Sequence, residues 1–146
     1  MTVYGMDVKG LGGLMSGLTG LAAAVDKVAK ANVEQLAASV EREAKANFDG
    51  TTKRGPHVPS ATDPVTGHQY PNIRTGTLRR SIHAQPVERL GNGAYRTVVG
   101  PTTKYGRRVE MGLAPTGAYP FFGPGVRRAR DKAADILRGN IARYLT

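Results

Sequence analysis

Three histidines are the first residues to test for chemistry, because imidazoles paired on one helix face hold metal ions. His57, His68 and His83 lie in irregular and extended stretches without that paired spacing, so they make no metal site. Asp63, Ser81 and His83 supply the residue types of a nucleophilic triad, but nothing like a nucleophile elbow surrounds the serine. Ser81 reads instead as a helix end and His83 as a strand residue. Glu88 and Glu110 are too far apart, in too ordinary a context, to form a general acid-base pair. Gly10-Leu11-Gly12-Gly13 lacks the third spaced glycine of a dinucleotide fingerprint and the lysine of a phosphate loop, which leaves a flexible joint. The sequence therefore carries no catalytic residues, no cofactor site and no metal site, and an enzyme is not expected.

What remains is cationic and aromatic. The chain has a formal net charge of +10. Residues 1–48 hold five Lys or Arg against five Asp or Glu, residues 49–112 ten against four, and residues 113–146 six against two. The excess thus belongs to the middle and the end, where Arg79-Arg80, Arg107-Arg108 and an arginine-rich final segment stand. A basic surface attracts polyanions, either nucleic acid or an acidic protein face. Tyr105, Tyr119, Phe121 and Phe122 lie beside these arginines in glycine-rich connections, and aromatic residues with Arg are the types enriched at contact surfaces. The candidate subunit or partner interface is accordingly Arg79, Arg80, Tyr105, Arg107, Arg108, Tyr119, Phe121 and Phe122.

The elements that position these residues follow from hydrophobic spacing. Leu21, Val25, Val28, Val33, Leu36, Val40, Ala44 and Phe48 recur at steps of three to five, one face of a long helix, with Gly50 as its stop. Ahead of it, residues 3–8 read as a short strand and residues 10–18 as a loose helical turn weakened by glycine, so residues 1–20 are expected to be a flexible segment. Lys9 and the apolar stretch after it superficially resemble a secretory signal, but five glycines dilute the stretch and Asp7 offsets the lysine. No stretch is long enough to span a bilayer.

Residues 49–74 have no periodicity and contain four prolines, which makes them a long mobile loop. Thr75 can cap a short helix through Leu78 to Ser81. Residues 82–89 and 95–100 then read as two strands joined by a turn at Gly91-Asn92-Gly93, the first an edge or bulged strand because Pro86 cannot donate a ladder hydrogen bond. Residues 105–111 form a short helix or strand ending at Gly112. From Val126 to Leu145, apolar residues at helical spacing make one closing helix with arginines elsewhere on its circumference. With 146 residues, the expected fold is a single α+β domain, the long amphipathic helix and the C-terminal helix packed on a small antiparallel β-sheet. The absence of cysteine removes disulfides and suits a reducing cytoplasm.

The order of these pieces resembles a known family. A long amphipathic helix is followed by Thr75-Gly76-Thr77-Leu78-Arg79-Arg80-Ser81-Ile82, Val99-Gly100-Pro101, Tyr105-Gly106-Arg107-Arg108-Val109-Glu110-Met111-Gly112, and Tyr119-Pro120-Phe121-Phe122-Gly123-Pro124 leading into a basic helix. The series is similar to the small head-tail joining, or tail-completion, proteins of long-tailed double-stranded DNA bacteriophages. That resemblance implies a structural virion protein of the neck, assembled in the host cytoplasm as a homo-oligomeric ring, sixfold, around the DNA channel. It implies the head connector or stopper as partner on one side, the tail terminator or tail tube on the other, DNA passing through the lumen, and no membrane. The competing reading of the same arginines is a basic nucleic-acid-binding protein without enzymatic activity.

Overall fold

One helix, α1 (Val8–Ala46, 39 residues), is the axis on which the rest of the chain packs. The computed structural model describes residues 8–53, 55–112 and 117–146. After α1 come α2 (Thr77–Arg80), β1 (Ile82–Ala84), β2 (Glu88–Gly91), β3 (Ala94–Arg96), β4 (Val99–Pro101), α3 (Gly106–Met111), α4 (Phe122–Asp131) and α5 (Ala133–Leu145). The class is α+β, as the sequence indicated.

α1 is longer than its apolar period implied, about 58 Å at 1.5 Å per residue. The glycines of residues 10–20 were expected to loosen it into a turn within a flexible segment, yet the helix runs through them. Each glycine costs about 1 kcal/mol against alanine, but extending a nucleated helix is far easier than starting one, and the first proline of the chain is Pro56. The strand expected at residues 3–8 lies outside the described residues, except for Val8, which opens the helix.

The single closing helix expected from residue 126 onward is two helices. Lys132 joins them with ψ −8°, and its amide donates to the Ala129 carbonyl three residues back, a tightened turn that redirects the chain. Both segments lie antiparallel on α1. Arg128 of α4 donates to a Glu43 carboxylate oxygen at 2.9 Å and to the Glu43 carbonyl at 3.0 Å. On α5, buried Asn140 accepts from Gln35 at 3.1 Å and donates to Asn32 at 2.7 Å.

The expected pair of strands is divided into two short antiparallel ladders. β1 pairs with β4 through Ile82↔Pro101, and β2 with β3 through Glu88↔Arg96. The division falls at Gln85-Pro86-Val87, where proline interrupts the ladder as anticipated. The turn at Gly91-Asn92-Gly93 holds positive φ at all three residues, Asn92 at 50°, a conformation that glycine and asparagine tolerate. Glu41 of α1 accepts from the Ala84 amide at 2.9 Å and Asp26 from the Tyr95 hydroxyl at 2.7 Å, so both ladders are tied to α1.

The core sits where α1 ends. Ala44, Leu78, Ile82 and Phe121 are buried there, with Phe48, Val109 and Phe122 packed against them, and the Phe48 and Phe121 rings lie 5.2 Å apart.

The described residues of 49–74 are irregular, as expected, and are tied together at several points. Thr51 bridges Ile73 and Thr62 bridges Gln69. Asn72 clamps the base, its amide nitrogen donating to the carbonyls of Asp49 and Val58 and its amide oxygen accepting from the Val58 amide at 2.7 Å. Asp49 accepts from the Ala61 amide at 2.6 Å and the Gly50 amide at 2.8 Å, and these backbone donors hold its carboxyl below the ordinary value. Polar side chains of the stretch itself, Asp49 and Asn72, thus fold it back on itself.

Candidate assembly surface

The short helices α2 and α3 carry the four arginines singled out by the sequence, and all four are exposed. α2 begins at Gly76, in the left-handed region at φ 76°, rather than at the expected Thr75 cap; the Thr75 hydroxyl still accepts from the Thr77 amide at 3.3 Å. Arg79 then reaches α1, its Nε donating to the Lys45 carbonyl at 3.2 Å. That contact satisfies a helix-end carbonyl with a cation, the favourable sign at a C-terminus, so Arg79 has a structural role. Arg80, Arg107 and Arg108 have no ion-pair partner among the described residues.

Between α2, α3 and residues 71–76 lies a groove of about 350 Å³, floored by Phe48, Ile73, Leu78 and Val109 and rimmed by Arg79 and Tyr105. Tyr105 is 44% exposed at this rim. A second hollow continues past Arg74 to His57 and Tyr119, whose rings stack at 4.1 Å with 12° between planes. The aromatic candidates therefore separate. Tyr105 is free at the surface, and Tyr119 is half-buried against a histidine. Phe122 is partly buried on the core, and Phe121 is wholly buried. Phe121 lies in the core of the subunit; the glycines and prolines around it mark close packing rather than exposure.

The sequence reading missed the role of Glu110. Its carboxylate accepts from the amides of Phe121 at 2.7 Å, Phe122 at 2.9 Å and Gly123 at 2.8 Å. α4 has no side-chain cap of its own, so a residue of α3 satisfies its first-turn donors and places a negative charge at the positive end of the helix dipole. The signal was present in Phe121-Phe122-Gly123-Pro124: proline in a first helical turn with no Ser, Thr, Asp or Asn before it means the acceptor comes from elsewhere. Gly112, at φ 69°, lies where a Cβ would be 2.8 Å from the Ala118 nitrogen, so it terminates α3 and lets residues 117–119 return beside it.

Asp63, Ser81 and His83 are each committed elsewhere and form no triad. Ser81 donates to the Leu78 carbonyl at 2.7 Å, Asp63 pairs with Arg127 at 2.6 Å, and His83 lies 3.8 Å from Glu41. Glu88 pairs with Arg96 at 2.8 Å, on a different element from Glu110. Among the described residues no group of three His, Asp or Glu is arranged to hold a metal ion, and no helix is long and apolar enough to cross a membrane.

Comparison with curated proteins and with solved structures gives no match. Among protein families, the model described as "Bacteriophage HK97-gp10, putative tail-component" matches residues 13–112, well over half of the chain, from α1 to the glycine that closes α3. The match takes in both arginine pairs and the Glu110 cap, and on it the chain belongs to the HK97-gp10-like family of bacteriophage tail components.

Proposed function

We propose that this tail component is a ring-forming neck subunit that joins the phage head to the tail. The ring, sixfold, would present one face to the connector or stopper and the other to the tail terminator or tail tube, with DNA passing through the lumen. The observation that carries this reading is the set of Arg80, Arg107 and Arg108, cations with no ion-pair partner among the described residues, on the two short helices that bound an apolar groove with Tyr105 on its rim. Such a surface gains most from burial against an acidic, apolar-centred partner. Arg79, Tyr119 and Phe122 contribute by holding the surface in place.

The test is genetic and visual. Surface charge changes usually alter stability by less than about 0.5 kcal/mol, whereas unpairing a buried interface charge costs about 2–5 kcal/mol of association. Arg107→Glu with Arg108→Glu should therefore leave the subunit folded while infected cells accumulate filled heads and finished tails that stay separate, counted by electron microscopy. Normal joining by this variant and by the Arg79/Arg80 equivalent would remove these residues from the interface. The same unpaired arginines are what a nucleic-acid-binding protein would use. Strongly salt-dependent DNA binding by a monomer, with no assembly, would favour that reading.

A further inference from the structure

Residues 12–25 of α1 are exposed throughout, except for the half-buried Ala24, and no charged residue lies between Lys9 and Asp26. They carry a repeat. Gly10-Leu11, Gly13-Leu14, Gly17-Leu18, Gly20-Leu21 and Ala24-Val25 each place a small residue before a large aliphatic one, at alternating steps of three and four. Such steps keep each residue type on one helix face, so the arm bears two neighbouring stripes about 100° apart. One is a ridge of Leu14, Leu18, Leu21 and Val25, exposed by 60, 56, 54 and 50%. The other is a groove at Gly13, Gly17, Gly20 and Ala24. A Cβ on any of those three glycines would meet nothing within 4 Å, so the groove is open.

The ridge is a core face without its cover. The same three-four spacing carries it on to Val28, Asn32 and Gln35, where Val28 is buried and Asn140 of α5 seals the other two. Beyond α5 the four aliphatic side chains form an apolar patch on the order of 400 Å², the size of functional patches on monomers.

We propose that the occupant is the same arm of a neighbouring copy, the aliphatic ridge of one subunit seated in the glycine groove of the next; this rests on the ring reading above. Both complementary surfaces lie on one uncharged segment, so copies meet without repulsion. Because ridge and groove face different directions, the contact is heterologous, the type that builds a ring where the rotation between successive copies closes. Packed helices lie about 8–10 Å apart, and six upright arms at that spacing would enclose a lumen narrower than a DNA duplex. The arms therefore lean and cross their neighbours obliquely, which small residues permit. The area falls short of the roughly 800 Å² per partner of a standard interface, so the arms act together with the α2–α3 surface.

Light scattering after size exclusion on the full chain decides the matter, with circular dichroism confirming that each variant is folded. The wild type should be multimeric. Leu18→Glu with Leu21→Glu removes the ridge, and Gly17→Leu with Gly20→Leu fills the groove while favouring helix; each should weaken assembly by about tenfold or more. Gly17→Ala with Gly20→Ala should assemble normally, since Ala24 already stands in the groove. Mixed together, the ridge and groove variants should form a heterodimer and stop, because one intact ridge meets one intact groove. A groove variant that assembles normally while the ridge variant does not would overturn the proposal in favour of ridge-to-ridge pairing. Wild-type multimers with both variants unchanged would overturn the arm and leave the ring reading standing. A wild type that remains monomeric at its highest soluble concentration would remove both.

Discussion

Gly125 of α4 lies directly against the main chain of Ala44 in α1: a Cβ added to Gly125 would lie 2.6 Å from the Ala44 backbone nitrogen and 2.7 Å from its Cα. Both atoms are main chain, so no rotamer can make room. Gly125→Ala must push the helices apart, dragging Arg128 away from Glu43. Overpacking of a core typically costs about 1–3 kcal/mol, and the melting temperature should fall by roughly 5–10 °C. An unchanged melting temperature would show that the two helices do not meet here.

Glu110 makes a separate prediction because it satisfies three amides of another helix at once. Glu110→Ala strips the cap from α4, and loss of a cap costs about 0.5–2 kcal/mol. Glu110→Gln keeps an acceptor without the charge and should lose less. Hydrogen exchange tests the mechanism directly: the amides of Phe121, Phe122 and Gly123 should lose protection in the alanine variant before the rest of α4 does. Uniform loss along α4 and α5 would mean that the residue acts through global stability alone.

Which parts of this architecture could be read from sequence depended on whether local spacing or a distant partner decided them. The apolar period from Leu21 to Phe48 found the body of α1, and Gly91-Asn92-Gly93 located the hairpin, because both signals act between near neighbours. The split between α4 and α5 was invisible. Val126, Ala129, Ala133 and Ile136 keep helical spacing across Lys132, and the bend serves contacts with Glu43, Ala44 and Gln35 more than 80 residues away in the chain. Glycine propensity misjudged residues 10–20, where continuity with a long helix prevails. The arginine pairs were legible as surface features. Phe121 was not legible as core, since its burial depends on Phe48 and on the close approach at Gly125.

The separation of Phe121 from Tyr105 can be measured. Phe121→Ala empties a fully buried site, a change that costs about 3–5 kcal/mol, and should leave little folded protein. Tyr105→Ala removes a side chain 44% exposed at the groove rim and should cost less than about 1 kcal/mol while impairing head-tail joining. Denaturant unfolding compares the two. Equal destabilisation would contradict the placement of Tyr105 at the surface.

Asp63 links the irregular stretch to the helices, and its behaviour with pH tests whether that stretch is held or mobile. It is 1% exposed. Burial alone would raise its carboxyl, but hydrogen bonds from the Thr66 hydroxyl, Arg127 and the amides of Thr66 and Val65 outweigh burial and hold it below the ordinary aspartate value. Glu43, bonded by Lys132 and Arg128, is likewise held below the ordinary glutamate value. A carboxylate whose folded pKa is depressed contributes stability in full above its unfolded value, and that contribution is lost as pH falls through the folded pKa. The melting temperature should therefore change little from pH 7 to 5 and fall below about pH 4.5 as these groups take up protons. Asp63→Asn, which at pH 7 forfeits a charged hydrogen bond worth about 1.5–3 kcal/mol, should flatten that acid limb. It should also speed tryptic cleavage at Lys53 and Arg74, by releasing the turn at residues 63–67 from α4. An acid limb as steep as the wild type's, with unchanged cleavage, would mean that Asp63 does not anchor the loop.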